Sequence, residues 1–253
     1  MLSTEDWHKR YQNQGRWTEQ VRRYLFKQVN LGGGNRVLEV GCGTGAITSD
    51  IYNECKDGEP QVFGIDNKIN NLKFAIGFDR KTYFSDADAY YLPFAPQTMD
   101  ATICHFLLLW LKIPLEGIME MRRVTRKGGV VLALAEPDFK ARIDYPQSLE
   151  KLGLLQADAL RGQGADPVMG RQLSVLFHQA GLINVQTGLL GGEWSKPPST
   201  MECRSEWAVL KNDLAGTIPD IELKELIQLD SEAWHKGERV LFVPTFYAIG
   251  YVA

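Results

Sequence analysis

The chain has 253 residues, of which 44% are hydrophobic and 23% charged, and its net charge is −3. That length suits one large domain with a modest cap and a sizeable buried core. The charge balance argues against a nucleic-acid partner, which normally brings a strongly basic face or tail, and no apolar run reaches the ~18 residues of a membrane-spanning helix.

The first twenty residues, MLSTEDWHKRYQNQGRWTEQ, hold no apolar core of the kind a secretory leader carries. Cys42, Cys55, Cys104 and Cys203 follow neither a metal-ligand spacing nor a secreted disulfide pattern. Reduced thiols in a cytoplasm are therefore expected, with no metal.

Trp17, Val21, Leu25 and Val29 form a helical stripe that LGGGN ends, because glycines sustain a helix poorly. Strand and helix then alternate. Strands are expected at 36–41, 61–66, 82–86, 100–107 and 129–136, with helices at 44–55, 68–78 and 115–126. Such alternation predicts a doubly wound α/β fold with helices on both faces of a mostly parallel sheet.

After Glu136 the rhythm changes. A first insertion, about 137–168, breaks at prolines and turns helical near 147–161. A helix follows over 170–181, ending on Gly181 as its C′ residue. Ile183–Leu190 reads as the sixth strand and 240–253 as the seventh, with a mostly helical second insertion, about 193–238, between them. The organisation is thus an N-terminal helical segment (1–34) and a core domain (35–253) whose two insertions form a cap.

The chemistry concentrates in VLEVGCGTG, Val37 to Gly45. A strand, a glycine turn and a helix make a nucleotide site in a doubly wound sheet, because glycine lets backbone approach ligand. A dinucleotide site wants G-x-G-x-x-G/A. Here the run is G-x-G-x-G, with Glu39 two residues before the first glycine. A carboxylate so placed suits a cationic group better than a pyrophosphate. A phosphate loop is excluded, since no Gly-Lys-Ser/Thr follows the bend.

VLEVGCGTG closely resembles the first motif of class I S-adenosylmethionine-dependent methyltransferases, in its E-x-G-x-G-x-G spacing. GIDNKINNLKFA resembles the second motif, DADAYYLPF the adenine-side segment, and RRVTRKGGVVLALAEPDF the turn into the fifth strand. The likeness covers about 35–136 well and 170–190 loosely. It implies S-adenosylmethionine as cofactor, S-adenosylhomocysteine as product, and a Rossmann-like sheet of seven strands.

Carried over residue by residue, the resemblance puts Gly41 and Gly43 against the cofactor and Glu39 near its methionyl end. Asp66 falls on the ribose hydroxyls with Asn67 beside it, a bidentate, charge-assisted arrangement. Aligning on Leu92-Pro93-Phe94 gives Asp88 to the adenine amino group and Ala89 a backbone contact, with Asp86 as the alternative carboxylate. The segment RYQNQGRWTEQ resembles one that some small-molecule members fold over the cofactor, which would bring in Tyr11, Arg16 and Trp17. Trp17 on the core-facing stripe and Arg16 in solvent are the competing reading.

Methyl transfer asks mainly for in-line placement. A base matters only where the nucleophile carries a proton at neutral pH. His105, ending the fourth strand, is the candidate for lining the cofactor and orienting a substrate; packing under FLLLW is the alternative. Glu136, Asp138 and Tyr145 follow the fifth strand on the expected substrate rim. Adenine-methylating members carry an Asn/Asp-Pro-Pro-aromatic stretch where this chain has CHFLLLW. A small-molecule acceptor is therefore expected, walled by Trp194, Trp207 and Trp234 unless these form the cap's own core. An NAD(P)-dependent oxidoreductase and a non-catalytic cofactor binder are the alternatives. Oligomeric state leaves no mark on the sequence.

Overall fold

The computed structural model describes residues 2–32, 34–55, 59–191 and 199–253. The first helix, α1 (Thr4–Gln28), begins well before its apolar stripe. Ser3 caps it by accepting from the Asp6 N–H, while the Asp6 carboxylate accepts from the Ser3 N–H, a reciprocal arrangement that satisfies two otherwise orphan donors.

The alternation that follows is β1 (Arg36–Val40), α2 (Ala46–Cys55), β2 (Gln61–Asp66), α3 (Ile69–Phe78), β3 (Tyr83–Asp86), β4 (Met99–Cys104), α4 (Pro114–Val124) and β5 (Thr125–Pro137). The first insertion holds β6 (Ile143–Tyr145) and α5 (Glu150–Gly162), and α6 (Leu173–Gln179) leads to β7 (Ile183–Leu190). The second holds α7 (Thr200–Asp213) and α8 (Asp220–His235), followed by β8 (Val240–Phe242) and β9 (Thr245–Tyr251).

Seven strands form one sheet in the order β3-β2-β1-β4-β5-β9-β7. β1 to β5 pair in parallel, while β9 runs antiparallel between β5 and β7. The expected last strand is in fact two. β8 leaves the main sheet to pair with β6 of the first insertion, and Pro244 stands at the junction, where no backbone N–H is available for a ladder.

Both faces of the sheet are covered, so its central strands read as continuous apolar runs rather than alternating ones. Leu38, Val40 and Ala133 pack toward Ile118 and Met121 of α4 and Phe177 of α6. Val37, Leu132 and Leu134 pack on the other face toward Leu25 and Phe26 of α1 and Ile47 and Ile51 of α2.

The two insertions build a single cap with its own core of Leu149, Leu152, Trp207, Leu210, Leu214 and Leu226. Trp207 belongs to that core, its indole N–H donating to Asp230 at 2.8 Å; Trp194 lies outside the described residues. Behind it Asp144 sits between Arg142 and Arg239, and Arg239 reaches on to Asp230. Each of these buried charges therefore has an opposite partner, the condition under which burial is tolerable. Trp234 is half-buried on α8.

Candidate cofactor site

The glycine turn lies at the carboxyl end of β1, and β2 holds it in place. The N–H groups of Gly41 and Cys42 both donate to the Ile65 carbonyl at 2.8 Å, and Gly43 N–H donates to Asp66 Oδ2 at 2.9 Å. Gly41, Gly43 and Gly45 all take positive φ (+76°, +53° and +75°), where a Cβ is strained. Space is short as well. A Cβ on Gly41 would stand 2.7 Å from Leu107 Cδ1, and one on Gly45 2.9 Å from Phe84. Gly41→Ala should therefore lower stability by about 1–3 kcal/mol, read as a shift of the urea midpoint.

Asp66 closes the turn from the β2 side. Its second oxygen accepts from the Lys68 N–H at 2.8 Å, so both carboxylate oxygens are oriented by backbone and each keeps acceptor capacity. Asn67 beside it is exposed. Asp88 is exposed and accepts from the Tyr90 N–H at 3.0 Å, while Ala89 is buried. Asp86 is also exposed, in register with Asp66 on β3.

Glu39 lies beneath the turn rather than open to it. Its side chain is 1% exposed and accepts from the Thr48 hydroxyl of α2. Burial raises its pKa from 4.5 to about 8, against the opposing pull of Thr48 and Arg22. Burial likewise raises Glu136 to about 7, while it lowers His105 from 6.5 to about 3, with Arg22 adding to that fall.

These shifts carry a sign. A carboxyl raised in the native state keeps its proton where the unfolded chain has lost it, so its stabilising share is complete below 4.5 and lost as pH rises through the native value. The His105 share runs the other way but is confined to about pH 3–6.5. Stability should therefore fall from pH 6.5 to 8, by at most about 1.4 kcal/mol per unit for each carboxyl still titrating. Thermal melts across that window, with Glu39→Gln reducing the slope, check it.

α1 lies over the turn with an unexpected face. Its buried side is His8, Gly15, Thr18, Arg22, Leu25 and Phe26, with Tyr11 half-buried among them. Tyr11 packs on Gly43, its Cε2 3.1 Å from where a Cβ would be. Burial and the nearby Asp66 charge push the Tyr11 phenol up to about 12. His8 Nδ1 is 2.8 Å from the Thr44 hydroxyl, and Thr18 Oγ1 is 3.1 Å from His105 Nε2. Gly15 permits the close crossing, since a Cβ there would meet Ile47 at 2.8 Å.

Of the three α1 residues expected at the site, only Tyr11 meets the turn. Trp17 is 56% exposed, with the Arg10 guanidinium over its ring, and Arg16 is exposed and donates to Asn13. The stripe is buried only toward its C-terminal end, where Leu25 lies in the core with Val21 and Val29 against it; the N-terminal part of the helix turns a polar face inward, so Trp17 points out. His105 is sealed under α1 as a neutral ring. With its conjugate acid near 3, it is a weak general base in this arrangement.

The rim expected after β5 also differs. Glu136 is fully buried and accepts from the N–H groups of Leu107, Leu108 and Leu109 at 3.0, 2.8 and 3.1 Å. Asp138 is buried and paired with Arg171, and only Tyr145 is exposed. Among the described residues no cluster of three or more His, Cys, Asp or Glu could hold a metal, and no helix is long and apolar enough to cross a membrane.

Comparison with known proteins places the same segment. A family described as methyltransferase domain matches residues 38–133. A methyltransferase of Schizosaccharomyces pombe, itself uncharacterised, is 31% identical over 62% of this chain and 59% of its own length. A demethylmenaquinone methyltransferase of Renibacterium salmoninarum is 34% identical over 48% of this chain and 51% of its own. The chain thus spans little more than half the length of these relatives. Among solved structures, the YcgJ protein of Bacillus subtilis superposes with a TM-score of 0.58 at 16% identity, over 90% of this chain and 96% of that one. Residues 38–133 thus match a methyltransferase domain, laid over a seven-stranded sheet whose first turn is G-x-G-x-G.

Proposed function

We propose that the chain binds S-adenosylmethionine at the β1–α2 turn and transfers its methyl group to a small-molecule acceptor. The carrying observation is the pairing of the turn with Asp66. Three positive-φ glycines shape the turn, with Leu107, Tyr11 and Phe84 packed where their Cβ atoms would stand, and an oriented carboxylate stands at the end of the neighbouring strand. That donor set fits the cofactor. A carboxylate suits a vicinal diol, and the acids Glu39 and Asp66 around the turn disfavour a pyrophosphate.

When bound, the cofactor supplies an activated methyl group on a good leaving group. The protein's part is placement and exclusion of water. Asp66 would orient the ribose, Asp88 and Ala89 the adenine, and Gly41 and Gly43 would permit close approach. Tyr11 would cover the methionyl side, and Asn67 would flank the ribose from solvent. No residue need remove a proton unless the acceptor carries one at neutral pH, and His105 is held neutral by α1.

The small size of the acceptor is supported by the cover. Arg10 of α1 pairs with Glu206 of α7, so the N-terminal helix and the cap are joined, unlike the open groove that a polymer requires. Buried thiols at Cys42, Cys55 and Cys104 suit a cytoplasmic setting.

Calorimetry with S-adenosylmethionine, S-adenosylhomocysteine, NADH and NADPH tests the cofactor. Saturable binding of the sulfur pair alone is expected, and binding of a nicotinamide cofactor instead would overturn the reading. Methyl-labelled cofactor offered with phenol, quinol and amine acceptors then tests transfer, with label expected in one acceptor class.

A further inference from the structure

We infer that Glu136 is a positioning residue for the cofactor turn, acting at a distance through the main chain of residues 107–109 and the side chain of Leu107. The inference rests on the cofactor reading proposed above.

Glu136 is near the end of β5, where the register with β9 shifts between Ala133 and Glu136. Its carboxylate faces the chain leaving β4. Oε1 accepts from Leu107 and Leu108, and Oε2 from Leu109. These N–H groups open a 3-10 turn, Leu108–Trp110, and Phe106 just before them takes a positive φ of 51° while donating to the Ala135 carbonyl at 2.9 Å. A fully buried carboxylate with no cation paired to it among the described residues is costly unless hydrogen-bonded. Here its partners are three backbone donors, an arrangement that stabilises the ionised form. Those same donors are fixed by it.

The consequence reaches the glycine turn through one side chain. Leu107 packs against Gly41, with Cδ1, Cγ and Cδ2 at 2.7, 3.2 and 3.3 Å from the position of a Cβ. The turn is thus braced from β2 by Asp66 and from β4 by Leu107, and Glu136 sets where Leu107 stands. A carboxylate is suited to this and an amide is not. Glutamine could keep the acceptor for Leu107 and Leu108, but its NH₂ would face the Leu109 N–H, donor to donor.

A double-mutant cycle on S-adenosylhomocysteine binding tests the route. Glu136→Gln and Leu107→Ala should each weaken binding about tenfold, and the double variant about tenfold as well, because both interrupt one path. Amide exchange at residues 107–109 should quicken in Glu136→Gln, while the wild type gains protection there when the ligand binds. An effect of Glu136→Gln below twofold, or a double variant near 100-fold, would overturn the inference and leave Glu136 as a packing residue. Should Glu136→Gln fail to fold, Leu107→Ala alone decides, and an unchanged affinity refutes the brace. Failure of the wild type to bind the ligand would instead sink the cofactor reading itself.

Discussion

Asp66→Ala should weaken S-adenosylhomocysteine binding about 100-fold while the protein remains folded. Under the proposed reading the carboxylate accepts from two ribose hydroxyls, and a hydrogen bond to a charged group contributes about 1.5–3 kcal/mol. Losing about 2.7 kcal/mol in all corresponds to the stated factor. The same carboxylate holds the N–H groups of Gly43 and Lys68, so part of the loss would come from a turn no longer set for the ligand. Asp66→Asn separates the two contributions. The amide keeps one acceptor oxygen and should recover stability more than affinity. Calorimetric titration beside a urea unfolding curve reads both, and equal affinity for wild type and Asp66→Ala would remove the ribose from this carboxylate.

The strands that frame this site were plain in the sequence because a sheet covered on both faces favours apolar runs; VVLALA is one, and RVLEV is interrupted within the strand only by Glu39. The turn was equally plain, since three glycines so close together have little use except positive φ or close approach. The N-terminal helix was harder. Periodicity is counted on apolar residues, and its stripe ran from Trp17 to Val29; yet only its Leu25 end is fully buried, and nearer the N-terminus the buried positions include the polar His8, Thr18 and Arg22. Their burial depends on partners far along the chain, Thr44, His105 and Glu54. The capping pair Ser3 and Asp6 was the local signal that could have started the helix in the right place.

Glu136 illustrates the same limit from the other side. A carboxylate after a strand reads as a rim acid, because nothing local says that its partners are three backbone N–H groups from a loop some thirty residues earlier. The split of the last strand had a local mark in Pro244, but the destination of β8, pairing with the first insertion, had none. Long-range partners of polar groups are set by the whole fold. Apolar patterning and turn chemistry are set locally, and they were the parts that could be read.

Arg22→Ala should be the most destabilising single change in α1, at about 3–5 kcal/mol, and should also loosen the cover over the turn. The guanidinium is 2% exposed and lies between α1 and α2. It donates through Nε to Glu54 at 2.8 Å, through Nη2 to Asp50 at 3.0 Å, and through Nη1 to the Gly15 carbonyl and the Thr18 hydroxyl. Removing the guanidinium leaves Glu54, 11% exposed, without compensation, which accounts for the magnitude, while Asp50, 44% exposed, stays hydrated. Burial already raises both Asp50 and Glu54, with Arg22 as the chief influence holding them down. Without it, both carboxyls should take up protons at higher pH, so the defect should be worst at alkaline pH and partly relieved as pH falls. The change should also reach His105. Thr18 would lose a donor, α1 would sit less firmly, and the ring, relieved of burial and of the Arg22 charge, should titrate closer to its ordinary 6.5 than to 3. Urea unfolding at several pH values gives the stability loss, and imidazole resonances followed by NMR give the His105 titration. A variant that lost under 1 kcal/mol, with His105 still neutral at pH 5, would show that α1 is held over the turn by its apolar end, Leu25 and Phe26, rather than by this ion pair.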